Sequence, residues 1–169
     1  MIITTIPDLS VQHDEALGLL RIEWASGQDM RTFRASFEQI LELAQRSQTR
    51  HVLLDINSFP DISVYDQVWM GSNWMPELVK LPIERLVLAI NRHRVHNQLA
   101  IDSLIATARP LIKFDLQFFL TAVPGLHWLS DYSPRLPMLL AEWNAVHGPD
   151  LPSASGNLTE PRNFFRPRG

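Results

Sequence analysis

The chain has no cysteine, so disulfide bonds, thiolate metal sites and cysteine nucleophiles are all excluded. It has little excess charge, and a net charge of −3 gives no general electrostatic attraction to nucleic acid. No apolar run approaches the ~20 residues of a membrane-spanning helix, and the amino terminus lacks the basic and apolar regions of a signal peptide. We therefore expect a soluble cytoplasmic protein with no transmembrane segment and no affinity for nucleic acid.

Recognisable catalytic motifs are also missing: the sequence has no nucleophile motif, no glycine-rich phosphate loop and no His-Glu zinc signature. We therefore expect a protein that is not an enzyme and needs no cofactor. The 169 residues, 46% of them hydrophobic, suit one globular domain, which we assign to residues 1–149. Residues 150–169 are rich in proline, serine, glycine and asparagine, which predicts a flexible or loosely docked tail.

The spacing of apolar residues predicts strands that alternate with helices. The predicted strands are Leu9–His13, Leu17–Ala25, His51–Ile56, Ile83–Ile90 and Phe114–Leu120. The predicted helices are Met30–Ser47 after an Asp29 N-cap, a segment from Val64, His96–Arg109 with Leu99 facing inward, Leu126–Leu129, and Pro134–Gly148. This order implies crossover connections. It predicts an α/β fold with a mainly parallel central sheet, an antiparallel opening hairpin and flanking helices.

The helix from Val64 is irregular because Gly71 and Pro76 interrupt it. A proline inside a helix costs about 3 kcal/mol. We therefore predict one helix that ends near Gly71 and a second short turn that starts near Pro76.

Several segments resemble a known family in their order along the chain. They are the strand Val52–Ile56, the turn Asp61–Ser63, the helix with Trp69, Trp74 and Pro76, the strand Arg85–Ala89, and the segment from Phe118 to Leu129. Over roughly residues 9–131 the chain resembles the STAS-type fold of anti-sigma-factor antagonists, in its broader SpoIIAA-like branch. The resemblance implies a non-enzymatic regulatory or protein-interaction module. Because this fold is also similar to lipid-carrier folds, a small-molecule or lipid-binding protein with an apolar pocket beside the second helix is the alternative.

Ser63 has two interpretations. In the antagonist branch a serine at the amino end of the second helix is phosphorylated to release the partner, and Ser63 is the nearest match, without the second serine and the glycine of that motif. Ser63 and Asp66 also have the spacing of a helix capping box. The nearby carboxylates of Asp55 and Asp61 could share a proton, hold a cation, or accept backbone N–H groups in the turn.

The loop Asn91–Asn97 follows a predicted buried strand and opens a helix, which favours anion binding. Arg92 and Arg94 could clamp a phosphate or a carboxylate, and His93 and His96 have a spacing that suits a metal. The same side chains could instead form a solvated loop with ion pairs across the surface.

The second helix contains a stripe of aromatic residues and methionine, formed by Tyr65, Trp69, Trp74 and Met75. Such a stripe either packs in the core or binds an apolar ligand or a partner. We predict that the binding surface lies between Asp61–Trp74 and Asn91–Asn97. Both segments follow the carboxyl ends of predicted parallel strands and should therefore lie at the same edge of the sheet. The predicted binding residues are Asp61, Ser63, Tyr65, Trp69, Trp74, Arg92, His93, Arg94 and His96, and the predicted occupant is a protein partner or a small amphipathic ligand.

The last helix predicts self-association. Leu136, Leu139, Leu140 and Trp143 form one stripe at helical spacing, while Met138 points elsewhere. One stripe can pack on the sheet. The remaining apolar surface of the helix must then be covered from solvent, either by Phe164-Phe165 of the tail or by a second subunit. We therefore predict a symmetric homodimer.

Overall fold

The computed structural model describes residues 1–149 and the backbone of a strand at 162–165. Its strands are β1 Ile2–Ile3, β2 Leu9–Asp14, β3 Leu19–Trp24, β4 His51–Asp55, β5 Arg85–Ala89, β6 Asp115–Phe119 and β7 Arg162–Phe165. Its helices are α1 Phe33–Arg46, α2 Val64–Trp69, a π-helical segment Met70–Trp74, α3 Met75–Leu78, α4 Val95–Ala108, α5 Ala122–Leu129 and α6 Leu136–His147. None of the helices in the described residues is both long and apolar enough to cross a membrane.

One sheet joins the strands in the order β1-β2-β3-β4-β5-β6-β7. Strands β1, β2 and β3 pair antiparallel, β3 to β6 pair parallel, and β7 pairs antiparallel with β6. The predicted α/β fold with an antiparallel opening hairpin is therefore confirmed. Sequential parallel strands joined by right-handed crossovers place their connecting helices on one face of the sheet. Helices α1, α2, α3 and α4 accordingly share that face.

Each face of the sheet has its own core. On the first face, Ile22, Leu54 and Leu88 of the sheet pack in one cluster with α1, the π-helical segment and α4. On the second face, Leu53 and Val87 pack with α5 and α6. The period-two alternation of buried side chains along β3, β4 and β5 thus supplies both cores, since neighbouring residues of a strand point to opposite faces.

The second helix has its two α-helical segments at the predicted places, since α2 ends near Gly71 and α3 begins near Pro76, but the predicted break between them is absent. It continues from α2 through the π-helical segment into α3, and Pro76 lies in the first turn of α3. The wider π turn shifts the hydrogen-bond pattern just before the proline, whose missing N–H is tolerated at the start of a helix. At Gly71 an added Cβ would lie 3.3 Å from Leu104 Cδ2, so this glycine permits close approach to α4.

Three further local predictions are wrong. Helix α1 begins at Phe33, and Asp29 is not its N-cap, because the Asp29 carboxylate accepts the Arg31 N–H and pairs with the Arg31 guanidinium at 2.8 Å. These hydrogen bonds lower the pKa of Asp29 to about 2. Helix α6 begins at Leu136, two residues after Pro134. Leu99 faces outward, because Asn97 and other residues of α4 occupy its buried face.

Helix α6 packs on the sheet through the predicted stripe, since Leu136, Leu139 and Trp143 are buried while Met138 is exposed. An ion pair of 2.6 Å between Arg135 and Asp14 fixes its start to the opening hairpin. Burial acts to raise the pKa of Asp14, but hydrogen bonds from Arg135 and from the Leu17 N–H outweigh it and lower that pKa.

The sequence did not predict strand β7, whose backbone pairs with β6. The rest of the predicted tail, 150–161 and 166–169, and the side chains of Phe164-Phe165 lie outside the described residues. The homodimer stays a prediction.

Candidate functional site

The loops that follow β4 and β5 meet at the carboxyl edge of the sheet, as the crossover rule predicts. The fully buried Asn97 joins them: its Oδ1 accepts the Ile62 N–H at 3.0 Å, and its Nδ2 donates to the Pro60 carbonyl at 3.0 Å. His96 Nε2 lies 2.9 Å from the Ile62 carbonyl oxygen, within hydrogen-bond distance. The start of α4 thereby fixes the turn that leads into α2.

Arg94 also holds this edge together. Its guanidinium donates to the Phe59 carbonyl and lies 3.9 Å from the Asp61 carboxylate. Asn57 extends the network, because its Oδ1 accepts the Asn91 N–H at 2.6 Å and its Nδ2 donates to the Leu120 carbonyl at 3.0 Å. Of the four predicted ligand-clamping side chains, Arg94 and His96 are therefore engaged in structural contacts, while Arg92 and His93 are exposed.

Ser63 is the N-cap of α2. Its Oγ accepts the Asp66 N–H at 3.1 Å, which is the first half of the predicted capping box. The Asp66 carboxylate binds Arg34 Nε of α1 at 2.9 Å, so α2 is tied to its neighbour at the same point.

We expect Ser63→Ala to lower the free energy of unfolding by about 0.5–2 kcal/mol, because the Asp66 N–H loses its acceptor. Ser63→Asp should be nearly neutral, since aspartate caps as well as serine. Urea denaturation of both variants measures this pair of effects. A loss of stability in Ser63→Asp equal to that in Ser63→Ala would contradict the capping role.

The two carboxylates at this edge have different partners. Asp55 is buried, and its Oδ1 accepts the Asn57 N–H at 2.9 Å, which stabilises the turn after β4. Asp61 is exposed and faces Arg94. Within the described residues, no group of three or more histidine, aspartate or glutamate side chains is placed to hold a metal ion. The contacts therefore favour the turn-stabilising interpretation of Asp55.

The aromatic stripe of the second helix divides between core and surface. Trp74 is buried, and its Nε1 donates to the Phe37 carbonyl at 2.8 Å. Trp69 is half-buried, with the Arg34 guanidinium carbon 5.8 Å from its ring centre. Tyr65 is 81% exposed. Trp74 is thus a core residue, whereas Tyr65 lies on the surface.

An exposed apolar surface borders this edge. We call it the α2/α4 surface, and it consists of Val64, Tyr65, Val68, Val95 and Leu99. These residues are five of the ten large hydrophobic side chains that are exposed in residues 1–149, so exposed apolar area is concentrated on two adjacent helices. The sequence analysis predicted only Tyr65 among them. The spacing of four residues within each pair, 64 with 68 and 95 with 99, is the signal that could have found the others.

The end of the α2/α4 surface where both helices begin, which we call its rim, is positively charged. Arg92 and His93 are exposed, and neither belongs to an ion pair formed within residues 1–149. The two acidic groups at this end are balanced, since Asp61 faces Arg94 and Asp66 pairs with Arg34. A third carboxylate, that of the half-buried Asp102, lies three residues beyond Leu99 along α4, away from this end. The amino termini of α2 and α4 both point to this edge and add partial positive charge.

A small apolar cavity lies beneath the π-helical segment. Its volume is about 50 Å³, and only hydrophobic side chains line it, among them Met70, Trp74 and Leu104. Leu41 and Met75 are the lining residues nearest to solvent, because the others are buried. Preformed small-molecule pockets have volumes of about 300–1,000 Å³, so this cavity is far smaller.

Comparison of the chain with family models, curated proteins and solved structures gave no match.

Proposed function

We propose that this protein is a non-enzymatic, STAS-like regulatory module that binds a protein partner through the α2/α4 surface. The observation that carries the proposal is the concentration of five exposed apolar side chains on two adjacent helices. Hydrophobic residues scattered singly over a surface are ordinary, whereas a contiguous apolar patch with a polar rim is typical of interaction sites. The cytoplasmic location expected from the sequence is part of the proposal.

The rigidity of the edge supports this function. Asn97, Arg94 and Asn57 connect the loops after β4, β5 and β6 through hydrogen bonds to backbone groups. A surface held in this way loses little conformational entropy on binding, which leaves more of the contact energy for affinity.

The position of Ser63 supports a regulatory role. Ser63 is exposed and directly precedes Val64 of the α2/α4 surface. A phosphate at this hydroxyl would add about −2 charges beside the positive rim and would keep acceptor oxygens for the helix cap. Phosphorylation would therefore change how the surface binds without unfolding α2.

Site-specific photocrosslinking tests the interaction. A photoreactive amino acid at position 68 of the full chain, irradiated in cells of the native host, should give one discrete protein adduct. Leu99→Asp in the same chain should abolish that adduct, because it places a charge on the apolar surface. Position 111 is the control, since Leu111 is 54% exposed and lies outside the α2/α4 surface. Equal adducts at positions 68 and 111, or no adduct at 68, would contradict the proposal.

The hydrophobic lining of the cavity favours a second candidate function, the binding of a small apolar molecule, for which the volume of about 50 Å³ would have to widen. Its lining is wholly hydrophobic and includes Met70 and Met75, whose flexible side chains can adapt to a guest. Native mass spectrometry of freshly purified protein should then show a bound mass that Ala44→Leu removes, because Ala44 lines the cavity. Ala35→Leu, at an exposed position of the same helix, is the control and should keep it. A protein without any bound mass would reject this candidate.

A further inference from the structure

We infer that the partner of the α2/α4 surface is an amphipathic helix with carboxylates at one end of its apolar face. The inference rests on the proposed function and adds the shape and charge of the partner. Three features of the described residues carry it: the parallel arrangement of α2 and α4, the spacing of their exposed apolar side chains, and the unbalanced positive charge of the rim.

The shape of the surface suits a helix. Helices α2 and α4 lie on the same face of the sheet and begin at the same edge, so they run in the same direction. Val64 with Val68, and Val95 with Leu99, are each four residues apart and form two short ridges of exposed side chains. At Gly71 the π-helical segment that continues α2 approaches α4 closely. The apolar face of a third helix can pack between two ridges of this kind.

An extended peptide has no comparable place here. A strand binds by pairing with a free backbone edge, and the edge strands of this sheet are β1 and β7. The α2/α4 surface instead covers a face of the sheet, above β4, β5 and β6. The backbone N–H and C=O groups under this surface belong to α2 and α4. They already form hydrogen bonds within these helices and cannot pair with a strand.

The positive charge of the rim indicates that the partner carries acidic side chains at the end that contacts it. The exposed Arg92 and His93 lie at the amino-terminal end of α4, while Asp61 and Asp66 are occupied by Arg94 and Arg34. A carboxylate can form two parallel hydrogen bonds with the Arg92 guanidinium, a geometry that a neutral side chain cannot match. Anionic membranes attract clusters of about 4–8 lysine and arginine residues, and this rim is smaller, so an acidic protein segment fits it better.

Selection from a phage-displayed library of amphipathic helices tests the inference. The library keeps leucine on one face and randomises the flanking positions, and the full-length protein is the target. Clones that also bind the Leu99→Asp variant are removed. We expect the remaining clones to be enriched in aspartate and glutamate at one end, and a selected peptide should bind the Arg92→Ala variant at least about tenfold more weakly, the loss expected when one charge-assisted pair is removed.

A charge swap gives the sharper measurement. Selection against the Arg92→Glu variant should enrich lysine and arginine at the same end, whereas Arg109→Glu, at an exposed position at the carboxyl end of α4, should leave the acidic preference unchanged. Clones that depend on Leu99 but show no charge preference would overturn the acidic partner and leave the proposed interaction surface standing. If no clone distinguishes the wild type from Leu99→Asp, both the inference and the proposed surface fail.

Discussion

Trp74→Ala should lower the free energy of unfolding by about 3–5 kcal/mol, the range for removing a large aromatic side chain from a core. Trp74 is buried against α1, with its ring centre 5.3 Å from that of Phe37 and its Nε1–H bonded to the Phe37 carbonyl. It also lines the existing cavity, so the truncation enlarges a void that the surrounding helices cannot easily close. Guanidinium denaturation followed by circular dichroism measures the loss.

Two control variants separate the loss of the buried ring from the loss of the N–H donor and from the general effect of removing an aromatic side chain. Trp74→Phe keeps an aromatic ring and removes the N–H donor, so we expect a loss of about 1–2 kcal/mol. Tyr65→Ala removes the exposed aromatic of the same helix and should change stability by less than about 0.5 kcal/mol. Equal losses for Trp74→Ala and Tyr65→Ala would show that the helix packs with a different face toward the sheet.

Asn97→Ala is the second large effect, with an expected loss of about 2–4 kcal/mol. The fully buried amide of Asn97 satisfies both the Ile62 N–H and the Pro60 carbonyl, and alanine leaves both without a partner. Each buried polar group left unsatisfied costs about 1–3 kcal/mol. Because these two groups belong to the turn that leads into α2, the variant should also increase hydrogen exchange at the Ile62 amide.

Gln67→Ala is the matched control for Asn97→Ala. Gln67 Nε2 donates to the Ile62 carbonyl at 2.8 Å, from a partly buried position. Only one hydrogen bond is lost, and His96 also reaches that carbonyl, so we expect a loss of about 1 kcal/mol or less. If Asn97→Ala were no more destabilising than Gln67→Ala, the two-sided role of the Asn97 amide would be wrong.

Local patterns in the sequence were sufficient for much of the fold. The alternation Leu20, Ile22, Trp24 indicated strand β3, and the helical spacing of Phe33, Phe37 and Ile40 indicated α1. These patterns succeed because a strand or a helix with one buried face must repeat its apolar residues with its own geometric period. The cap at Ser63 was predictable for the same reason, since its hydrogen bond spans only three residues.

The meeting of the loops after β4 and β5 also followed from the sequence, but the contacts of their side chains did not. That the loops after β4 and β5 share an edge depends only on the parallel direction of the two strands. Whether Arg94 is free to bind a ligand depends on the Phe59 carbonyl, 35 residues away along the chain. The sequence analysis therefore grouped Arg94 with Arg92, and the structure separates them.

Tertiary packing decided which apolar residues face solvent. Trp74 and Tyr65 looked alike in the sequence, yet one is in the core and the other is exposed, because only the side of the helix that carries Trp74 packs against α1. Leu99 is apolar and was predicted to face inward, but it is exposed. The buried face of α4 contains Asn97 instead, whose side chain binds the turn before α2. The sequence by itself therefore determined strands β2 to β6, the helices and their order, since these arise from interactions between near neighbours. The α2/α4 surface arose only when helices distant in sequence packed together, because exposure is a property of the assembled fold.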